Sequence, residues 1–220
     1  MRQILYVINF AEMPQTAIDV LTKPAEFFRS MPKAGGFLEP LIFAVIMGLI
    51  TGIIRAILSV VGLGPAGSYG AGMAAGFGAI IFMPIAVAIG SFIGAAILFV
   101  IWKLMGSQED YETAYRCGAY LMVLAPITTI LNAIPYAGAI ISLAIFTFYL
   151  VTASVYVHKI PAQKAWLVFG IISLILALGG VWAEYKARNI GHWQQMGDEY
   201  RKSAEDLRRQ AEEMARRHRR

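Results

Sequence analysis

Acidic side chains are nearly missing from the long apolar stretches of this 220-residue chain, where only Glu39 stands near the start of the first, and between Cys117 and Val157 there are 41 residues without a charge of either sign. Cysteine is almost missing too. The single Cys117 excludes an internal disulfide and a cysteine-based metal cage, and its setting among Tyr115, Gly118 and Tyr120 suits a small packed thiol. The three histidines, His158, His192 and His218, fall in a loop and in the tail, far from any acidic pair, so no metal centre is expected. Catalytic signatures are absent as well: there is no Gly-x-Ser-x-Gly elbow and no His-Glu-x-x-His. The stretch 62–78 holds seven glycines but no Gly-Lys-Ser/Thr, which leaves a flexible connection rather than a phosphate cradle. No enzyme and no cofactor is expected. Nucleic acid is not an expected partner either, because the net charge of +5 comes without a basic fold or an aromatic–basic motif.

What is present is hydrocarbon-compatible sequence. Hydrophobic residues make up 58% of the chain, charged residues only 15%, and the mean hydropathy is +0.60, outside the range of a soluble domain. A bilayer core about 30 Å thick takes roughly 20 apolar residues per helix. The 41 uncharged residues therefore read as a helical hairpin that crosses out and back. Its turn falls at Asn132–Gly138, where Pro135 ends one helix and Gly138 eases the entry of the next. Five spans are predicted in all, at about 37–61, 77–103, 114–134, 137–157 and 165–183. The fold class expected is an all-α, five-transmembrane-helix bundle with an N-terminal amphipathic helix and a C-terminal charged helix.

Three regions follow from this division. Residues 1–36 form an amphipathic segment in which Ile18, Leu21, Phe27, Phe28 and Met31 alternate with Asp19, Lys23, Glu26 and Arg29, with Pro24 between two short helices and Gly35-Gly36 as a hinge. Such a segment lies on a leaflet, docks a partner, or only anchors the bundle. Residues 37–183 are the spans, and residues 184–220 are a charged helical tail. The opening "MRQILYVINF" has no cleavage pattern, so insertion through the first span is expected. Lys and Arg mark the loops that stay cytoplasmic. Arg2, Lys23, Arg29 and Lys33 precede span one, Lys103 and Arg116 flank the second connection, and Lys159 and Lys164 the fourth, whereas Gly62–Gly76 and the hairpin turn carry none. The N-terminus is thus expected in the cytoplasm and the tail on the opposite side, in a prokaryotic inner (cytoplasmic) membrane.

The order of several motifs resembles Yip proteins, the Ypt/Rab-GTPase-interacting family, in its prokaryotic branch. A Pro-x-x-Phe-Phe lead at Pro24–Phe28 and a glycine pair precede Pro40 in the first span. Farther on come Tyr115, Gly118 and Tyr120, then Pro126, an Ile-Pro-x-x-Gly hinge with Pro135 and Gly138, and His158 ahead of Lys164-Ala165. The resemblance runs over about residues 20–183. It implies a five-span helical bundle. Eukaryotic members bind small GTPases and shape vesicle traffic, a role that a prokaryotic relative need not share.

Three features stand apart from that resemblance. Arg55 is an intramembrane cation with no acid deep in any span to pair with it; it can snorkel to lipid phosphate, bond a helix end or the tail, or line a conduit. Small-xxx-small steps at Gly48/Gly52, Gly72/Gly76 and Gly90/Gly94 allow close helix contact within one chain or between chains. The tail repeats Trp193, Tyr200, Leu207 and Met214 at seven-residue spacing, with Gly197, Ala204, Ala211 and His218 at the companion position, which makes a coiled-coil seam. Acids (Asp198, Glu199, Glu205, Asp206, Glu212, Glu213) lie on one flank and bases (Arg201, Lys202, Arg208, Arg209, Arg216, Arg217) on the other. Opposite flanks on one helix suit contact between identical neighbours. The function expected is that of a membrane scaffold, adaptor or organiser, in contact with lipid and forming a homo-oligomer or a complex with a membrane-protein partner. Two alternatives stay open: a transporter or channel built from the oligomer, and an accessory subunit of a larger membrane complex.

Overall fold

The computed structural model describes residues 10–63 and 72–218, and every regular element among them is helical. After a short 3-10 turn the chain forms α1 (Met13–Thr22), α2 (Pro24–Ser30), α3 (Leu38–Val60), α4 (Gly72–Leu104), α5 (Tyr111–Leu121), α6 (Leu124–Leu131), α7 (Ala137–Tyr156) and α8 (Ala162–His218). Most of the Gly62–Gly76 connection, the Gly72/Gly76 step, Arg2 and the terminal arginines lie outside the described residues or side chains. Among the described residues four stretches are long and apolar enough to cross a bilayer: Leu38–Val60, Phe77–Leu104, Ala137–Tyr156 and Ala162–Lys186. The stretch expected as a simple third span is instead the pair α5 and α6, bent by 45°. Pro126 explains the break. Its ring crowds the carbonyl four residues back, at Met122, and it has no N–H to offer. The chain responds with tight bonds from Met122 and Val123 N–H to Ala119 and Tyr120 O, both 3.2 Å.

α3 and α4 lie closest together. A Cβ added at Gly52 would stand 2.6 Å from Ala79 O, and one at Gly48 would stand 2.9 Å from Val87 Cγ2. The first small-residue step therefore joins two helices of one chain. Gly90 and Gly94, by contrast, have nothing within 4 Å of an added Cβ. α5 fills the centre, with every residue from Thr113 to Leu121 buried. Its Arg116, counted by sequence among the loop cations, is only 1% exposed and belongs to this core.

The N-terminal helices join the same core. Val20, Phe28 and Met31 are buried in one hydrophobic cluster with Trp102, Cys117, Leu121 and Leu150. Tyr149 of α7 donates its hydroxyl to Leu21 O at 2.7 Å, and the Arg29 guanidinium lies 4.8 Å from the Tyr156 ring centre. Much of the apolar face offered by sequence to a leaflet is thus turned against α5 and α7. The last difference concerns α8. Span five and the charged tail form one unbroken helix of 57 residues, about 85 Å long at ~1.5 Å per residue.

Candidate functional site

Polar side chains collect at the two ends of the bundle. At the end where α3 and α5 begin, the loop after α2 is tied to α5. Lys33 Nζ meets Glu109 Oε1 at 2.6 Å, Thr113 Oγ1 donates to Lys33 O at 3.1 Å, and Gly36 N–H donates to Glu112 Oε1 at 2.6 Å. Arg116 reaches up from the core, donating to Gly36 O at 2.9 Å and pairing with Glu39 of α3 at 3.3 Å. Gly35 and Gly36 have φ of 135° and 85°, a conformation that glycine takes without a Cβ penalty. Asp110 caps α5: its carboxylate accepts from Thr113 N–H and Oγ1, both at 2.8 Å, and those bonds hold its pKa below the ordinary carboxylate value.

A second cluster at the same end joins α4, α7 and the start of α8. His158 is buried and stacks on Trp102 with ring centres 3.9 Å apart. Its Nδ1 is 2.8 Å from Ser107 Oγ, which also accepts from Glu109 N–H at 3.2 Å. Trp102 Nε1 donates to Ser154 Oγ at 2.8 Å, and Lys164 Nζ donates to Met105 O at 2.8 Å. Burial, with Lys33 and Lys103 nearby, pushes the His158 pKa down to about 3, so its ring is neutral at neutral pH. Ser107 and His158 resemble a nucleophile and base only in distance, because both are enclosed by packed side chains. Among the described residues no group of three or more His, Cys, Asp or Glu is placed to hold a metal ion.

The opposite end carries the hairpin turn. Pro135 and Gly138 bracket Tyr136, whose φ is 59° and ψ −54°. Ala137 N–H bonds Pro135 O at 2.6 Å, closing a γ-turn of the rarer, positive-φ kind. Tyr136 N–H donates to Glu184 Oε2 of α8 at 3.0 Å. Gly138 packs on the backbone of α6 so tightly that an added Cβ would overlap Leu131 O and stand 2.7 Å from Leu131 C. Ser142 Oγ joins the two legs by donating to Asn132 Oδ1 at 3.0 Å.

Residues 18–183 match the model of the Yip1 domain. The chain belongs to the Yip1 family. No curated protein and no solved structure matches it. The apolar helices make this Yip1 protein an integral membrane protein in contact with lipid.

The remaining residues singled out by sequence are not brought together with either cluster. Arg55 lies on an exposed face of α3, in the second-last turn before its end at Val60. Tyr200 and Leu207 are 73% and 67% exposed on α8. Trp193 and Met214 share that helix, with side chains outside the described residues. Sequence reasoning missed Arg116, Trp102 and Glu184 as anchors. Position carried a signal for Arg116, since it sits four residues after Glu112 and four before Tyr120, on one face of α5.

Proposed function

We propose that this Yip1 protein is a non-enzymatic membrane scaffold or organiser that crosses the bilayer five times and self-associates through its C-terminal helix. Five crossings are supported by the two anchored ends. α5 begins beside Lys33 and Gly36, next to the start of α3, while the turn after α6 is held by Glu184, 22 residues into α8. That distance along α8 is about 33 Å at ~1.5 Å per residue, the thickness of a hydrocarbon core. The bent pair thus runs from one end of the bundle to the other and does not turn back. With Lys33, Lys103, Lys159 and Lys164 all at the first end, that end faces the cytoplasm and the tail lies opposite, as in a prokaryotic inner membrane. Arg55, near the opposite end of α3, snorkels to lipid phosphate there.

The observation that carries self-association is the unbroken α8. It projects Tyr200 and Leu207, large, exposed and seven residues apart, from a rod that leaves the membrane without a break. A transporter would need polar groups facing a path. The cavity of about 260 Å³ between α6 and α7 has Thr128, Asn132 and Ser142 in its wall, but these bond to one another or to backbone, which is what a helix contact requires. Native mass in mild detergent tests the reading. Removing residues 190–220 should leave the protein inserted with a mass of one protomer. An unchanged mass would assign assembly to the spans, and co-purifying foreign chains with no second copy would favour the accessory-subunit role.

A further inference from the structure

We infer that the cleft between α4 and α7 holds one acyl chain of a bilayer phospholipid, drawn from the leaflet at the hairpin-turn end, with the amide of Asn132 donating to that lipid's ester carbonyl. This is independent of self-association and needs only that α4 and α7 cross the bilayer.

The cleft follows from the bend before Pro126. α5 packs against α4, but α6, turned by 45°, packs against α3 and α7. α4 and α7 are joined toward the first end by the bond from Trp102 Nε1 to Ser154 Oγ. Beyond that bond the space between them stays open as a cavity of about 430 Å³, lined by Gly94 of α4, by Gly118 and Met122 at the bend, and by Phe146 of α7. That volume falls within the ~300–1,000 Å³ of single-ligand sites. A Cβ added at Gly90 or Gly94 would meet nothing within 4 Å. The one polar residue of the lining, Ser91, is satisfied by Ala88 O at 3.2 Å and the Tyr115 hydroxyl at 3.3 Å. Water would find no partners there, and an empty cleft would forfeit dispersion contacts along its walls.

Depth decides what fills it. Gly90 is the fourteenth of the 28 residues of the α4 span and Phe146 the tenth of the 20 in α7, so the cavity lies at the bilayer midplane. Ile97, in its lining, is exposed, which makes the cavity continuous with the lipid-contacting face of α4. The cavity of about 260 Å³ between α6 and α7 shares Phe146 with it and runs on past Ser142 to Asn132. From Ala137 to Phe146 α7 advances about 14 Å at ~1.5 Å per residue, half of a ~30 Å core and so the reach of one acyl chain. Asn132 caps α6 beside the start of α7, where a Cβ added to Gly138 would stand 2.8 Å from Asn132 Cα. This is the level of the ester groups. Asn132 Oδ1 accepts from Ser142 Oγ, but its Nδ2 has no acceptor among the described residues. An unmet N–H is costly at that depth, and an ester carbonyl is the acceptor a lipid brings. A partner helix, with its backbone bonds closed internally, would leave that amide unmet.

Photolabelling tests this with the full-length protein in phosphatidylcholine vesicles that contain a phosphatidylcholine carrying a diazirine near the end of one acyl chain. Labelled residues are located by peptide mass spectrometry. Met122 and Phe146, both half-buried, should be labelled several-fold more than Ile93 and Ile175, which are near the midplane and far more open to lipid. Gly94→Leu puts a side chain into the cavity and should bring Met122 and Phe146 down to the Ile175 level, while Asn132→Ala should lower them several-fold. Labelling of Met122 and Phe146 no higher than that of Ile93 and Ile175 would overturn the site, as would labelling that Gly94→Leu leaves unchanged. Unchanged labelling in Asn132→Ala would overturn the ester contact. Labelling that appears only when the protein is diluted into excess lipid would assign the cleft to a helix of a neighbouring chain and overturn the lipid.

Discussion

Replacing Gly138 by alanine adds one methyl group at the point where α7 meets α6. The new Cβ would overlap Leu131 O and stand 2.7 Å from Leu131 C and 2.8 Å from Asn132 Cα. All three are backbone atoms, so no side chain can rotate away. The hairpin must open. Overpacking of this kind costs about 1–3 kcal/mol where neighbours can adjust, and a backbone obstruction belongs at the upper end. Alanine recovers about 0.4–1 kcal/mol by restricting the unfolded chain. The net expected loss is about 2 kcal/mol, or more than tenfold in the folded-to-unfolded ratio. Reversible SDS titration of purified protein in mild detergent measures it. Gly94→Ala is the internal control: it is mid-helix with nothing within 4 Å, so it should be neutral or stabilising. Arg55→Ala, on an exposed face, should change stability by less than about 0.5 kcal/mol. A Gly138→Ala protein as stable as the Gly94→Ala protein would refute the close approach of the two hairpin legs.

Three further outcomes follow from the anchors. Glu39→Ala should destabilise the protein at least as much as Arg116→Met. The first leaves a guanidinium buried without its counter-charge, while the second leaves only a carboxylate that is 46% exposed, and the same SDS titration ranks them. Glu184→Ala should lower the thermal midpoint and speed amide exchange at Tyr136, because it removes the acceptor that holds a strained positive-φ residue, whereas Glu184→Gln should keep most of both. His158 should make the fold acid-sensitive. With its pKa near 3 in the folded protein and an ordinary value of 6.5 unfolded, the unfolded state binds more protons between those pH values. Stability is then complete above about pH 6.5 and falls by up to ~1.4 kcal/mol per unit on acidification, a slope that His158→Asn should flatten in melts at pH 7 and pH 5.

The span helices were legible because lipid imposes a simple rule: long apolar runs become helices, and Pro135 with Gly138 must mark the reversal between two of them. The family was legible in the order of motifs from Pro24 to Ala165. Arg116 was misplaced because a loop cation and a buried cation look alike in a charge count; only its partners Gly36 O and Glu39, 80 and 77 residues away, distinguish them. The break before Pro126 was readable from proline chemistry, but its 45° bend depends on how α5 is packed. The continuity of α8 was hidden for a different reason. Composition changes sharply at Glu184, from lipid-compatible to charged, while the helical backbone does not respond to that change at all.

That continuity gives the protein a mechanical character. The two clusters at the end where α3 and α5 begin fasten the loop after α2, α3, α4, α5, α7 and α8 to one another through buried or charged pairs. At the other end a bond from Tyr136 N–H to Glu184 joins the hairpin turn to the rod. A force or partner acting on the tail would reach this bond first, because α8 is unbroken between them and a helix transmits rotation along its length. Release would let the γ-turn relax, while the other end, held by several independent contacts, would keep its packing. A protein arranged in this way can accept different neighbours at the tail without disturbing the packing at the far end of its bundle.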